Sequence, residues 1–107
     1  MATHSKIDQL QLLQQNMQNI LLQKQQQESV LIELNSACEE LGKTDKAYKI
    51  VGKIMIASPP QNLLLDLQQK KEIAELRLKN LLKQEENIKR SIESVQEEAV
   101  KELQQKK

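Results

Sequence analysis

The chain has 107 residues, with 16 Lys and Arg against 15 Asp and Glu, one Tyr, no Phe and no Trp. A single structural unit is the most that such a length suggests, and Tyr48 as the sole aromatic argues against a conventional compact core, because aromatic rings bury about 150–250 Å² each. A net charge of +1 argues against nucleic acid as the main partner, since phosphate binding draws on concentrated positive charge. Cys38 has no second cysteine to pair with, no cleavable leader pattern opens the chain, and no apolar run approaches the roughly 18–20 residues that span a bilayer. These features lead us to expect a soluble, intracellular protein without a membrane contact. The 16 Gln are compatible with this, because Gln is a good helix former and need not mean disorder.

Both Gly and both Pro fall between residues 42 and 60, so the chain reads as two long helices around a short insert. In the first flank, an alternating spacing of three and four runs through Leu10, Leu13, Met17, Ile20, Lys24, Gln27, Leu31, Leu34, Cys38 and Leu41, eight of the ten being apolar or thiol. That is a heptad seam. Ser5 with Asp8 three residues on is a candidate start, and Gly42 is a candidate left-handed terminator, which predicts a first helix over residues 5–41.

The insert contains two runs rich in β-branched residues, Ala47 to Val51 and Ile54 to Ala57, separated by Gly52 and Lys53. A two-residue type II′ turn with Gly52 at positive φ fits, within a hairpin over 46–58. Tyr48, Ile50, Met55 and Ala57 fall on one face, and Lys49, Val51, Ile54 and Ile56 on the other. Both faces are mainly apolar. An isolated two-stranded hairpin is marginal in water, and no other strand in this chain covers it, so it is expected to add to strands from other subunits and close an intersubunit β-barrel.

The second flank repeats the seam through Leu64, Leu67, Lys71, Ala74, Leu78, Leu81, Glu85, Ile88, Ile92, Val95, Ala99 and Glu102. Pro60 holds Pro59 out of the α region, so this helix starts at Pro60 or under an Asn62 cap and runs over 60–105. Pairing residues whose numbers total 105 aligns both the hairpin and the helices in one antiparallel register. The expected fold is therefore mainly α: a long antiparallel two-helix coiled coil with one central β-hairpin, residues 1–107 forming a single unit.

In that arrangement, residues 1–13 and 95–107 meet at a tip far from the hairpin. Ile7, Leu12, Val100 and Leu103 lie there off the main seam. One reading has Ile7 and Leu103 widening the seam while Leu12 and Val100 are ordinary exposed apolar residues; the other makes the tip a sticky surface that holds other chains.

The order helix, hairpin, helix, together with Ala47-Tyr48-Lys49-Ile50-Val51-Gly52 and the stretch KKEIAELRLKNLLKQEE over 70–86, resembles the beta-class prefoldin family along nearly the whole chain. The resemblance implies a hexamer of two alpha-class and four beta-class subunits whose hairpins form a barrel platform carrying coiled-coil tentacles. It further implies capture of unfolded polypeptides at the tentacle tips without ATP, and delivery to a group II chaperonin in the cytoplasm. Under it, Tyr48, Ile50, Val51, Ile54, Met55 and Ile56 are the assembly residues. Their place at the tip makes Ile7, Leu12, Val100 and Leu103 the expected client contacts. The Gln-rich first helix and the Pro59-Pro60 pair depart from the family pattern and bear on tip affinity and on the strand-to-helix angle.

No catalytic, cofactor or metal site is expected. His4 is the only histidine and cannot build a metal cluster or a dyad alone. Cys38 occupies a seam position and reads as a small buried hydrophobe. The paired carboxylates Glu39-Glu40, Glu85-Glu86 and Glu97-Glu98 are neighbours that face different ways on a helix. Lys24 and Glu85 fall about one layer apart in the seam, where they either form a register-fixing ion pair or snorkel outward. The basic stretch of Lys43, Lys46, Lys49 and Lys53 reads as a solvated rim or as a contact for an acidic partner, and Lys106-Lys107 is too short to carry an address. A coiled-coil adaptor for one folded partner is the competing function.

Overall fold

The computed structural model describes residues 2–105, with side chains from residue 5 onward. Two long helices flank one antiparallel hairpin: α1 (Ala2–Leu41), β1 (Ala47–Val51), β2 (Ile54–Ser58) and α2 (Pro60–Gln105). The chain divides into two compact units, one of residues 26–78 and one that joins the first 25 residues to those from 79 onward. Both helices contribute to each unit.

Residues at the seam spacing are withdrawn from solvent all along both helices. None of the ten seam positions of α1 and none of the twelve of α2 is exposed. In the unit containing the chain's two end segments, Ile20 and Leu81 are the buried aliphatics, and Lys6 meets Glu98 while Lys24 meets Glu85. Rising numbers on α1 therefore meet falling numbers on α2, which is the antiparallel arrangement. In the unit of residues 26–78 the most buried residue is Ala74, at 3% exposure.

The helix ends differ from the sequence expectation in two respects. α1 begins at Ala2, so Ser5 lies inside its first turns and is not the cap; nothing in Ala2 and Thr3 breaks a helix, and the ion pair of Lys6 with Glu98 ties this segment down. The side chain of His4 and residues Lys106 and Lys107 lie outside those described. At the other end Gly42 does not adopt the left-handed conformation, since among the described residues positive φ occurs only at Gly52. Instead, α1 closes with Gly42 N–H donating to the Cys38 carbonyl at 3.2 Å and Lys43 N–H donating to the Glu40 carbonyl at 3.1 Å. The second bond tightens the last turn and satisfies a carbonyl that the helix would otherwise leave open.

Thr44 shapes the entry to the hairpin. Its hydroxyl accepts from the Lys46 N–H at 3.2 Å and donates to the Lys46 carbonyl at 2.9 Å. The strands then pair as Ala47 with Ser58, Tyr48 with Ala57, Lys49 with Ile56, Ile50 with Met55 and Val51 with Ile54, the register that the sequence alignment requires. Gly52 has φ +62° and Lys53 does not have positive φ, the combination that separates a type II′ turn from type I′. α2 starts at Pro60, where a missing N–H costs nothing, and the Pro59 carbonyl accepts from Asn62 at 3.1 Å and Leu63 at 3.3 Å.

Candidate interaction surfaces

The hairpin forms a two-stranded sheet, so each strand offers one unpaired edge of N–H and C=O groups. Its side chains are equally uncovered. Tyr48, Ile50 and Met55 on one face are 56%, 69% and 65% exposed, and Val51, Ile54 and Ile56 on the other are 51%, 65% and 49% exposed. Complete burial of such a side chain contributes about 1.5–3 kcal/mol. Covering the exposed part of all six thus contributes roughly 5–10 kcal/mol, the same order as the roughly 4–15 kcal/mol that association costs. A stable assembly here needs more than side-chain burial, and the open strand edges are its natural source.

The face with Tyr48, Ile50 and Met55 looks onto the helices of its own unit. Between them lies a groove of about 800 Å³, floored by aliphatic residues including Leu41, Leu63 and Leu67 and bordered by Glu40 and Asp66. A smaller groove lies beside Val30, Leu34, Ile73 and Ala74. The first is not legible from strand alternation or heptads taken separately, because it brings hairpin and helix residues together.

In the unit of the end segments, Ile7, Leu12, Val100 and Leu103 are all about half exposed. They are accompanied by Leu21, Leu22 and Leu82, which sequence reasoning passed over. The missed signal was the residue adjoining each seam position: Leu21 follows Ile20 and Leu82 follows Leu81.

Among the described residues, two ion pairs join the two helices of this unit. Lys6 donates to Glu98 Oε2, which together with the nearby Glu102 charge raises the Lys6 pKa against the effect of burial. The same bond lowers the Glu98 pKa. Deeper along the helices, Lys24 Nζ lies 3.1 Å from Glu85 Oε2, and Lys89 Nζ lies 3.5 Å from Glu85 Oε1. The Glu85 side chain is only 12% exposed, and its carboxyl is held below the usual range chiefly by the Lys24 hydrogen bond, against the opposing pull of burial. Of the two arrangements open to this pair, the structure has the ion pair. Helical side chains lean toward the N-terminus, so Lys24 leans into the layer of Ile20, where Glu85 sits opposite.

Among the described residues, no group of three His, Cys, Asp or Glu side chains is placed to hold a metal ion, and no helix is long and apolar enough to cross a membrane. Cys38 is a half-buried free thiol in the seam.

A family model described as prefoldin subunit matches residues 4–106, nearly the entire chain. The chain belongs to the prefoldin family, in its beta class. It is 34% identical over 98 residues to the prefoldin subunit beta of Caldivirga maquilingensis, covering 89% of this chain and 81% of that one. Against the prefoldin subunit beta of Archaeoglobus fulgidus it is 36% identical over 94 residues, covering 85% and 81%, and against that of Pyrobaculum islandicum 39% identical over 94 residues, covering 85% and 75%. The crystal structure of the prefoldin beta subunit from Thermococcus strain KS-1 superposes with a TM-score of 0.86 at 26% identity, covering 91% of this chain and 88% of that one. Prefoldins are a family of chaperone subunits rather than of enzymes. The helix, hairpin, helix order and the two-stranded sheet of this chain are those of a beta-class prefoldin.

Proposed function

We propose that this prefoldin chain is a subunit of an ATP-independent holdase that captures unfolded polypeptides at coiled-coil tips and delivers them to a group II chaperonin in the cytoplasm. It assembles through the hairpin, with Tyr48, Ile50, Val51, Ile54, Met55 and Ile56 as the contact residues. Its partners are two alpha-class subunits and three further beta-class copies. Ile7, Leu12, Val100 and Leu103 form the client contact. The chemistry is binding alone, with no cofactor, metal or catalytic group.

The observation that carries this reading is a hairpin exposed on both apolar faces and along both edges. Such an element has no stable solution within one copy. The tips follow the opposite logic. Four half-exposed aliphatic side chains contribute roughly 3–6 kcal/mol when covered, too little for one tip to hold a client against the cost of association. Several tips around one space turn such weak contacts into useful affinity through effective concentration.

The test mixes the chain with an alpha-class prefoldin subunit, determines the mass by light scattering, and follows aggregation of an unfolded client without nucleotide. A hexamer that suppresses aggregation below one equivalent is expected. A stable assembly without suppression would favour an adaptor for one folded partner instead.

A further inference from the structure

In an antiparallel helix pair, residues that immediately follow certain seam positions on both helices share one flank, and those that immediately precede the others share the opposite flank. The groove beside Ala74 displays this rule: Val30, Lys70 and Arg77, which precede Leu31, Lys71 and Leu78, line it together. In the unit of the end segments, the corresponding preceding positions are Gln9, Asn16, Gln23, Gln84, Ser91 and Glu98, all polar. The following positions are different. They include Ile7 and Leu103 at the tip and Leu21 and Leu82 further in, each 44–55% exposed. Among the positions directly beside the seam in this unit, exposed apolar side chains are thus confined to one flank, in two clusters, while Leu12, Leu22 and Val100 are exposed elsewhere around the helices.

We propose that this flank is an extended binding track for unfolded polypeptide, with Leu21 and Leu82 as a second contact behind the tip. The proposal rests on the capture reading above and adds a site to it. Leu21 lies 14 residues beyond Ile7, about 21 Å along the helix. An extended chain rising about 3.3 Å per residue covers that distance in about six residues, an even number that returns its side chain to the same face.

Between the clusters the flank carries Gln14, Gln96 and Lys89, the last engaged with Glu85 at 3.5 Å. Each Gln side chain has donors and an acceptor, which suit the unpaired backbone of an extended client. The same polar interval breaks the apolar repeat that a second helix, including one from another copy of this chain, would need. The occupant that fits is an unfolded segment with apolar residues about six positions apart.

The test uses the assembled complex and two unstructured synthetic peptides of equal length and charge, one with a single apolar cluster and one with two clusters six residues apart. Affinities are read by fluorescence anisotropy. The two-cluster peptide is expected to bind about tenfold more tightly. Combined Leu21→Gln and Leu82→Gln should erase that advantage, and combined Leu21→Met and Leu82→Met should retain it. Helix content and assembly mass are measured on every variant. An advantage that survives the Gln variant overturns the track, as does equal binding of both peptides to the parent complex. A changed assembly mass in the Gln variant also overturns it, because the flank would then be an interface between subunits. If neither peptide binds the parent complex, the capture reading fails, and the track with it.

Discussion

The same substitution at the two glycines should act with opposite sign. Gly52 has φ +62° and nothing lies within 4 Å of a Cβ placed there, so Gly52→Ala meets no clash and pays only for the left-handed backbone. For an L-residue the positive-φ position of a type II′ turn costs about 1–3 kcal/mol. Gly42 is not left-handed, and a Cβ there would lie 3.4 Å from the Glu39 carbonyl oxygen and 3.8 Å from that of Cys38, ordinary contact distances. Gly42→Ala therefore stabilises, by about 0.4–1 kcal/mol, because it removes freedom from the unfolded chain without straining the folded one. The two variants should differ by about 1.5–4 kcal/mol. Urea unfolding reads this as midpoints about 1 M apart on either side of the parent chain, at one fixed chain concentration because assembly shifts apparent stability. Comparable destabilisation by both substitutions would refute the reasoning, since it would mean that Gly42 requires the left-handed conformation after all.

Leu81→Ala should destabilise by about 2–5 kcal/mol, because Leu81 is 7% exposed in the seam, whereas Leu76→Ala, at a site 59% exposed, should stay within about 0.5 kcal/mol; thermal or urea unfolding separates them. For Lys24 and Glu85, the single Glu85→Met substitution should destabilise more than the double Met substitution, since it strands Lys24 in the seam while the double change replaces both charges with apolar groups; Lys24→Met leaves Glu85 with Lys89 at 3.5 Å and should cost less. Glu85 is held below the ordinary carboxylate pKa, so its contribution to stability is present above that range and lost as pH falls through its lowered value; Glu85→Gln should remove this part of the acid transition. Combined Ile50→Asp and Ile54→Asp should abolish assembly by light scattering while leaving the helix signal in circular dichroism nearly intact.

The elements and their register were legible because each signal was redundant. A seam at alternating three and four, a gap holding every Gly and Pro, and a two-residue turn all lead to one alignment, and Tyr48 meets Ala57 as that alignment demands. The helix ends were less legible. Ser5 has the chemistry of a cap but stands where nothing interrupts the helix, and Gly42 has the freedom of a left-handed terminator without using it. Whether Lys24 reaches Glu85 depended on the direction in which a long side chain leans, a three-dimensional fact beyond spacing. Leu21 and Leu82 were passed over because heptad reading attends to the seam, whereas an exposed apolar residue one step beside it is visible only when both helices are in place. The groove beneath Tyr48, Ile50 and Met55 follows from how the hairpin folds over its own helices, which no local pattern encodes.

On the proposed function, assembly at the hairpin and capture at the tips are separate properties of one chain. The most direct measurement is nucleotide-free suppression of client aggregation by the assembled complex, comparing the parent chain with a variant carrying Leu12→Ser and Val100→Ser, two exposed positions of the tip segments. The variant complex should keep its mass and lose most of its suppression. Full suppression by the variant at unchanged mass would contradict capture at the tips.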